Sequence, residues 1–170
     1  YGRDEAKNPE KLVEKLVELG HGSVLEHGSF TWKIEGVSRA CLAQLVRHRQ
    51  ASYTVRSQRY CDESGFDVVM PESIRSNPTL SERWEQLLGE TARLYRDMRN
   101  EGIRKEDARY ILPIGTETEL YMSCNLRELL HIAKLRMDKS AQWEIRQLVT
   151  MMVECVDERL HFMFEDVGGN

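Results

Sequence analysis

The apolar positions mark out the elements before any chemistry is considered. After Asn8-Pro9-Glu10 the residues Leu12, Val13, Leu16, Val17 and Leu19 recur at helical spacing, and Gly20 closes the run. Asparagine caps, proline suits a first helical turn and glycine accepts the left-handed residue past a helix end, so a helix is predicted here. Phe30, Trp32 and Ile34 alternate with Thr31 and Lys33 as a strand with one buried face, which Gly36 is expected to break. Ser38 is expected to cap a helix whose inward stripe is Val37, Cys41, Leu42, Leu45 and Val46, with Gln44, Arg47 and His48 around its far end. Within 47–60 the second half alternates, which predicts a strand carrying Ser57 and Arg59 on one face and points two basic clusters at one spot.

Cys61 to Pro78 is turn-rich, with Phe66, Val68, Val69 and Met70 as a short strand. A long amphipathic helix is predicted from about Thr79 to Asn100, its apolar positions being Leu80, Trp84, Leu87, Leu88, Leu94, Tyr95 and Met98, with Gly102 as the stop. Arg104 to Leu112 reads as a short helix closed by Pro113, and Thr118, Leu120, Met122 and Cys124 alternate as a strand. Asn125 caps a helix bearing Leu126, Leu129, Leu130, Ile132 and Ala133, with Arg127 and His131 one turn apart on its polar side. Ser140 is expected to start a final helix through Trp143, Ile145, Leu148, Met151, Met152, Val153 and Val156 to about Phe164, its methionines filling the core. No internal repeat or linker interrupts the pattern, so residues 1–170 are expected to form a single domain. The chain starts at Tyr1 without a methionine, and a missing N-terminal segment is expected.

Composition adds exclusions. A chain of 170 residues, 41% hydrophobic and 31% charged, is ordinary for a globular protein. The net charge of −4 argues against a general nucleic-acid binder, which carries a basic excess over a whole face. The four cysteines, Cys41, Cys61, Cys124 and Cys155, form no CxxC pair, so neither a zinc site nor a disulfide framework is indicated and a reducing cytoplasm is expected. No apolar run approaches the ~18 residues needed to span a bilayer.

Positive charge is instead local. Arg47-His48-Arg49-Gln50-Ala51-Ser52-Tyr53-Thr54-Val55-Arg56-Ser57-Gln58-Arg59-Tyr60 packs four arginines, a histidine and two serines into fourteen residues. Guanidinium forks match phosphate oxygens and serine hydroxyls complete such a shell, so the stretch reads as an anion site, with a solvated, charged helix end as the other reading. Gly20-His21-Gly22-Ser23-Val24-Leu25-Glu26-His27-Gly28 is loop-like but is no dinucleotide fingerprint, because Leu25 stands at the third glycine and no strand precedes it. Two readings stay open: a turn packed against something planar and polar, or a plain connector.

Arg47-His48-Arg49 followed by seven residues and Ser57 resembles the RHRx7S signature of the flavin-dependent thymidylate synthases, the ThyX family. Gly20 to His27, Ala108-Arg109-Tyr110-Ile111-Leu112-Pro113, Asn125-Leu126-Arg127 and Leu135 to Glu144 agree with that family in the same order, covering roughly residues 20 to 150. The resemblance implies an α/β (α+β) ThyX-like fold, a central sheet flanked by long helices, in a homotetramer with active sites between subunits. It implies FAD as cofactor, NADPH as reductant, 5,10-methylenetetrahydrofolate as carbon donor and dUMP as substrate, with no metal, membrane or nucleic-acid partner. By the same resemblance Ser23, Glu26, Arg47, His48, Arg49, Asn125, Arg127 and His131 contact FAD. Gln44, Arg47, Ser57, Gln58, Arg59, Arg109 and Arg136 contact the nucleotide, and Arg136 holds the catalytic position.

The residue types suit that chemistry. Methylation at C5 of uracil needs electron density on that carbon, and a fixed guanidinium at the pyrimidine edge favours the ring anion without losing its proton. The resemblance implies no cysteine nucleophile, and the four cysteines are read as structural. One departure stands out: Thr54-Val55-Arg56 occupies a stretch where the family often has a polar residue followed by Glu or Gln. Val55 cannot make the hydrogen bond of a carboxylate or amide, which leaves a related pyrimidine nucleotide (UMP-type) methyltransferase or a non-catalytic nucleotide- or RNA-binding homologue as alternatives, and leaves Arg56 to replace the contact or bind another phosphate.

Overall fold

The computed structural model describes residues 9–165, 167 and 168. Helices and strands are mixed along the chain, and the described part divides into two compact units. The first takes the chain up to Trp32, Leu45–Tyr53 and everything from Met122; the second takes Lys33–Gln44 and Thr54–Tyr121. Strands β1 (Ser29–Ser38), β2 (Ser52–Val55) and β3 (Glu117–Asn125) follow the order β1-β3-β2, and each supplies residues to both units. No described helix is long and apolar enough to cross a membrane.

In the first unit, helix α1 spans Pro9–Glu18; its expected cap, Asn8, lies outside the described residues. Gly20, at φ 76°, ends it as expected: its N–H donates to Val17 O and that of His21 to Leu16 O, both at 2.9 Å, satisfying carbonyls left open by the last turn. A 3-10 turn at Gly22–Glu26 buries Leu25 and packs against helix α6 (Leu126–Arg136). Asn125 caps α6, its Oδ1 accepting the Glu128 N–H at 2.9 Å, and Leu126, Leu129, Ile132 and Ala133 go into the core. Helix α7 (Trp143–Glu154) packs on α6 and adds Ile145, Leu148, Val149, Met152 and Val153.

Three expectations for this unit need correction. Ser140 does not start the last helix; its N–H is held by Asp138, and Gln142 is the cap, accepting from Glu144 and Ile145 N–H at 3.0 and 3.1 Å. The helix stops at Glu154 because Asp157 takes the Arg159 N–H at 3.0 Å and opens a separate 3-10 turn, Glu158–Phe164. Met151 is exposed, and Met152 alone of that pair fills the core.

In the second unit Gly36 does not break β1. At φ 69° it lets the strand run on to Ser38 while the buried positions shift from Ile34 to Val37 and Ser38. Ser38 Oγ then accepts the Cys41 N–H at 3.0 Å and starts helix α2 (Arg39–Leu45), which ends too soon to bury Val46. Beyond β2 the strand expectation fails: the Ser57 carbonyl accepts the N–H groups of Tyr60 and Cys61 at 3.1 and 2.9 Å, so Ser57 and Arg59 sit in a turn. Of the short strand at 66–70 there is one antiparallel bridge, Val68 to Thr116, before helix α3 (Glu72–Arg75).

Helix α4 runs Pro78–Asn100, with Asn77 as cap and Pro78 in the first turn, and Gly102 at φ 83° stops it. Its inward face is narrower than expected. Tyr95 is fully buried and Trp84, Leu88 and Met98 are half-buried, whereas Leu80, Leu87 and Leu94 are exposed. The predicted short helix is α5 (Lys105–Ala108) followed by a 3-10 turn at Arg109–Ile111. Along β3 the alternation holds, with Thr118, Leu120, Met122 and Cys124 buried.

Candidate active site

The residues read from the RHRx7S stretch and its companion segments fall into two groups, one in each unit. Ser23, Glu26, Arg47, His48, Arg49, Asn125, Arg127, His131 and Arg136 belong to the first; Gln44, Ser57, Gln58, Arg59 and Arg109 belong to the second.

In the first unit the chain leaves α2 at Leu45 and turns sharply. The His48 N–H donates to Leu45 O at 3.1 Å, and the Tyr53 hydroxyl is shared between Leu45 O at 2.8 Å and His48 O at 3.0 Å. This ties down His48, only 6% exposed, between the exposed Arg47 and Arg49. Arg136, in the last turn of α6, donates its Nε–H to His48 Nε2 at 2.9 Å, and the His131 ring stands edge-on to His48 at 6.3 Å between centroids. Burial, and then the charge of Arg136 and the neighbouring His131, push the His48 pKa down to about 4. The imidazole is therefore neutral near pH 7.

The same unit joins the glycine-rich turn to α6. Arg127 Nη1 donates to Glu26 Oε1, an ion pair across residues far apart in the chain. Gly22 lies against the Arg127 guanidinium: a Cβ on Gly22 would stand 3.6 Å from Arg127 Nε. Of the two readings left open for this turn, packing against a planar polar group is the one seen. Ser23 and His131 are exposed near these elements, while Asn125 commits its Oδ1 to the α6 cap.

In the second unit Ser57 Oγ accepts the Arg59 N–H at 3.2 Å, and Arg59 ion-pairs with Glu106 Oε2 at 3.1 Å. Glu106 also takes Arg104 at 2.8 Å on its other oxygen, and its main-chain carbonyl accepts Arg109 Nε–H at 3.1 Å. Lys105 Nζ donates to Tyr60 O at 2.9 Å, so α5 is tied to the Ser57–Tyr60 turn at two points. Gln58 is 6% exposed, and its buried Nε2 has no hydrogen-bond partner among the described residues. A buried amide donor left without a partner is costly, and such groups mark places where a ligand completes the bonding. Gln44 reaches Ala40 O at 3.4 Å on α2.

Arg56, read as a replacement for what Val55 lacks, faces Glu63 at 3.7 Å; Glu63 is 3% exposed and its carboxyl is raised mainly by burial. Glu63, Glu106 and Tyr53 were not read as site residues from the sequence. Glu106 carried one usable signal, its position one helical turn before Arg109. The cysteines form no disulfide: Cys41 and Cys124 are buried, Cys61 is half-buried and Cys155 is exposed, and burial raises the Cys124 thiol to about 12.

Comparison with known families places the chain in one of them. The family model described as Thymidylate synthase complementing protein matches residues 1–160. This chain belongs to that family. Among curated relatives, the Flavin-dependent thymidylate synthase of Pyrococcus furiosus is 44% identical over 163 residues, 94% of this chain and 67% of the relative. The proteins of the same name from Pyrococcus abyssi and Geobacter sulfurreducens are 45% and 43% identical, with 62% and 68% of their lengths covered. The chain thus spans about two thirds of the length of the relatives it matches.

Proposed function

We propose that this chain catalyses the flavin-dependent reductive methylation of dUMP to dTMP, with 5,10-methylenetetrahydrofolate as carbon donor and NADPH as reductant. The observation that carries the reading is family membership, in a chain whose Arg47, His48, Arg49 and Arg136 fall in one unit with Arg136 bonded to His48 at 2.9 Å.

The residues of the first unit fit an anionic flavin dinucleotide. Arg47, Arg49 and Arg127 are exposed cations, and the bare backbone at Gly22 leaves a flat approach beside Arg127. FAD, when bound, supplies the reducing electrons for the one-carbon unit. In this assignment Ser23, Glu26, Arg47, His48, Arg49, Asn125, Arg127 and His131 hold the cofactor. Ser57, Gln58, Arg59, Arg109 and Gln44 hold the nucleotide, the guanidiniums taking its phosphate and the unpaired Gln58 amide donating to it.

Arg47 and Arg136 complete the nucleotide contacts, and Arg136 stabilises negative charge on the pyrimidine so that C5 can accept the methylene. Two of the four cysteines are poorly placed as nucleophiles: the Cys124 thiol stays protonated near neutral pH, and Cys41 is fully buried.

The same reading places the chain in a cytoplasmic homotetramer with active sites between subunits. Support for self-association comes from Leu80, Leu87 and Leu94, exposed along α4 at intervals of seven residues. The deciding experiment for the activity is tritium release from C5-labelled dUMP with FAD, NADPH and the folate donor; no release above a protein-free control refutes it. A monomer by sedimentation at micromolar concentration refutes the assembly.

A further inference from the structure

In the second unit Glu106 meets Arg59 and Arg109, both assigned to the nucleotide, and it meets each at Nε. Arg59 Nε donates to Glu106 Oε2 at 3.2 Å, and Arg59 Nη2 stands 3.1 Å from the same oxygen. Arg109 Nε donates to the Glu106 main-chain carbonyl at 3.1 Å. A guanidinium holds five N–H donors in one plane. An acceptor at Nε fixes that plane, while the Nη1 and Nη2 end retains the fork that matches two phosphate oxygens. Both arginines are thus held along one side, with the end turned to an anion.

Glu106 is itself braced. Its Oε1 takes Arg104 Nη2 at 2.8 Å, its side chain is only 25% exposed, and Ala108 on the same short helix is fully buried. Lys105 Nζ donates to Tyr60 O at 2.9 Å and fastens α5 to the turn that carries Arg59. The Arg59 side chain is 51% exposed, and fixing so long a side chain in advance spares the ligand that entropy cost. Arg59 Cζ also lies 5.6 Å from the centre of the Tyr60 ring. That attraction acts on the charge rather than on one N–H, so the direction of the donors is set by Glu106.

We propose that Glu106 is a positioning residue for the nucleotide phosphate: its carboxylate aims Arg59 and its carbonyl aims Arg109. Only the identity of the anion rests on the function proposed above; the two bonds do not. Because one holding group is a side chain and the other main chain, substitution at this position releases Arg59 and leaves Arg109 in place. A carboxylate beside an anion site also repels the ligand, so the variants compared must share their charge. Glu106→Gln and Glu106→Ala both lose it, and only glutamine keeps a side-chain oxygen for Arg59.

The first arm of the test needs no substrate. With arginine Nε labelled with nitrogen-15 and signals assigned by their loss in Arg59→Lys and Arg109→Lys, the Arg59 Nε–H of Glu106→Ala exchanges with water about 3-fold or more faster than that of Glu106→Gln. The Arg109 Nε–H exchanges alike in both. Equal exchange of the Arg59 Nε–H in the two variants overturns the proposal.

The second arm reads dUMP affinity by calorimetry at saturating FAD. Glu106→Ala binds about 3- to 10-fold more weakly than Glu106→Gln, the range of one hydrogen bond. Their kcat values at saturating dUMP differ by less than about 2-fold, because aiming at a phosphate that does not react is uniform binding. The difference in affinity falls below about 2-fold in an Arg59→Ala background and persists in Arg109→Ala. Equal affinities, or a difference that survives Arg59→Ala, overturn the proposal. Should Glu106→Ala fail to fold, Glu106→Met replaces it, with similar length and no oxygen. A wild-type protein that binds no dUMP refutes the proposed function and the phosphate half of this inference with it, while the exchange result still decides the two bonds.

Discussion

Acid should destabilise this protein through His48, and the size of the effect follows from its surroundings. Free histidine titrates near 6.5, and burial with Arg136 and His131 nearby brings His48 down to about 4. Between those values the unfolded chain takes up a proton that the folded chain refuses. Stability therefore falls as pH drops from about 6.5 to about 4 and is unaffected by this group outside that window. Each pH unit within the window is worth about 1.4 kcal/mol, so the loss across it is about 3 kcal/mol. Carboxylates titrate over part of the same range, and a reference that lacks only the imidazole removes them.

His48→Gln is that reference, since it does not titrate and keeps an acceptor for Arg136. Urea unfolding of both proteins at fixed concentration, from pH 7.5 to 4, should show the wild-type protein losing about 3 kcal/mol relative to the variant. Parallel curves would refute the reasoning, because they would mean that His48 is solvated enough to titrate normally.

Three further outcomes are expected. Tyr95→Phe removes the acceptor of the Glu63 N–H, 3.2 Å away in the second unit, and should cost about 1–3 kcal/mol in urea unfolding without altering helix content by circular dichroism. Gly36→Ala forces a side chain into φ 69° and should cost about 1–2 kcal/mol; since a Cβ there meets no atom within 4 Å, any loss measured is backbone strain rather than a clash. Arg59→Ala should weaken dUMP binding by roughly 10- to 100-fold by calorimetry, as expected for a hydrogen bond to a charged group, and an unchanged affinity would remove Arg59 from the phosphate site.

Much of the fold was legible from the chain. Helix ends were the clearest, because Gly20, Gly102 and Asn125 act through their own backbone or side chain, and local geometry suffices. The alternation of Thr118, Leu120, Met122 and Cys124 was equally readable, since a strand buried on one face has little freedom of register. Gly36 was misread because a strand can absorb a positive φ as a bulge when its neighbours continue to pair. Gln142 displaced Ser140 as a cap for a similar reason: Asp138 had already engaged the serine, a competition that spacing does not reveal.

In the site the positive residues and Glu26 were visible, whereas the pairing of Glu63 and Glu106 with arginines was not. Glu106 gathers Arg59, Arg104 and Arg109 through two different groups, a carboxylate and a carbonyl, and the second leaves no mark on residue type. The bond from Arg136 to His48 joins residues 88 apart in the chain, beyond the reach of any local pattern.

The unpaired amide of Gln58 makes the second unit a poor candidate for simple stabilisation. An engineer seeking heat tolerance would begin with such a group, since an apolar side chain of similar volume removes a buried donor that nothing among the described residues satisfies. If that donor serves the nucleotide, the gain in stability would come at the expense of substrate binding. Natural selection, acting on turnover rather than on shelf life, would hold the turn at Ser57–Tyr60 in a state of deliberate incompleteness, and thermal tolerance would have to be sought elsewhere in the chain.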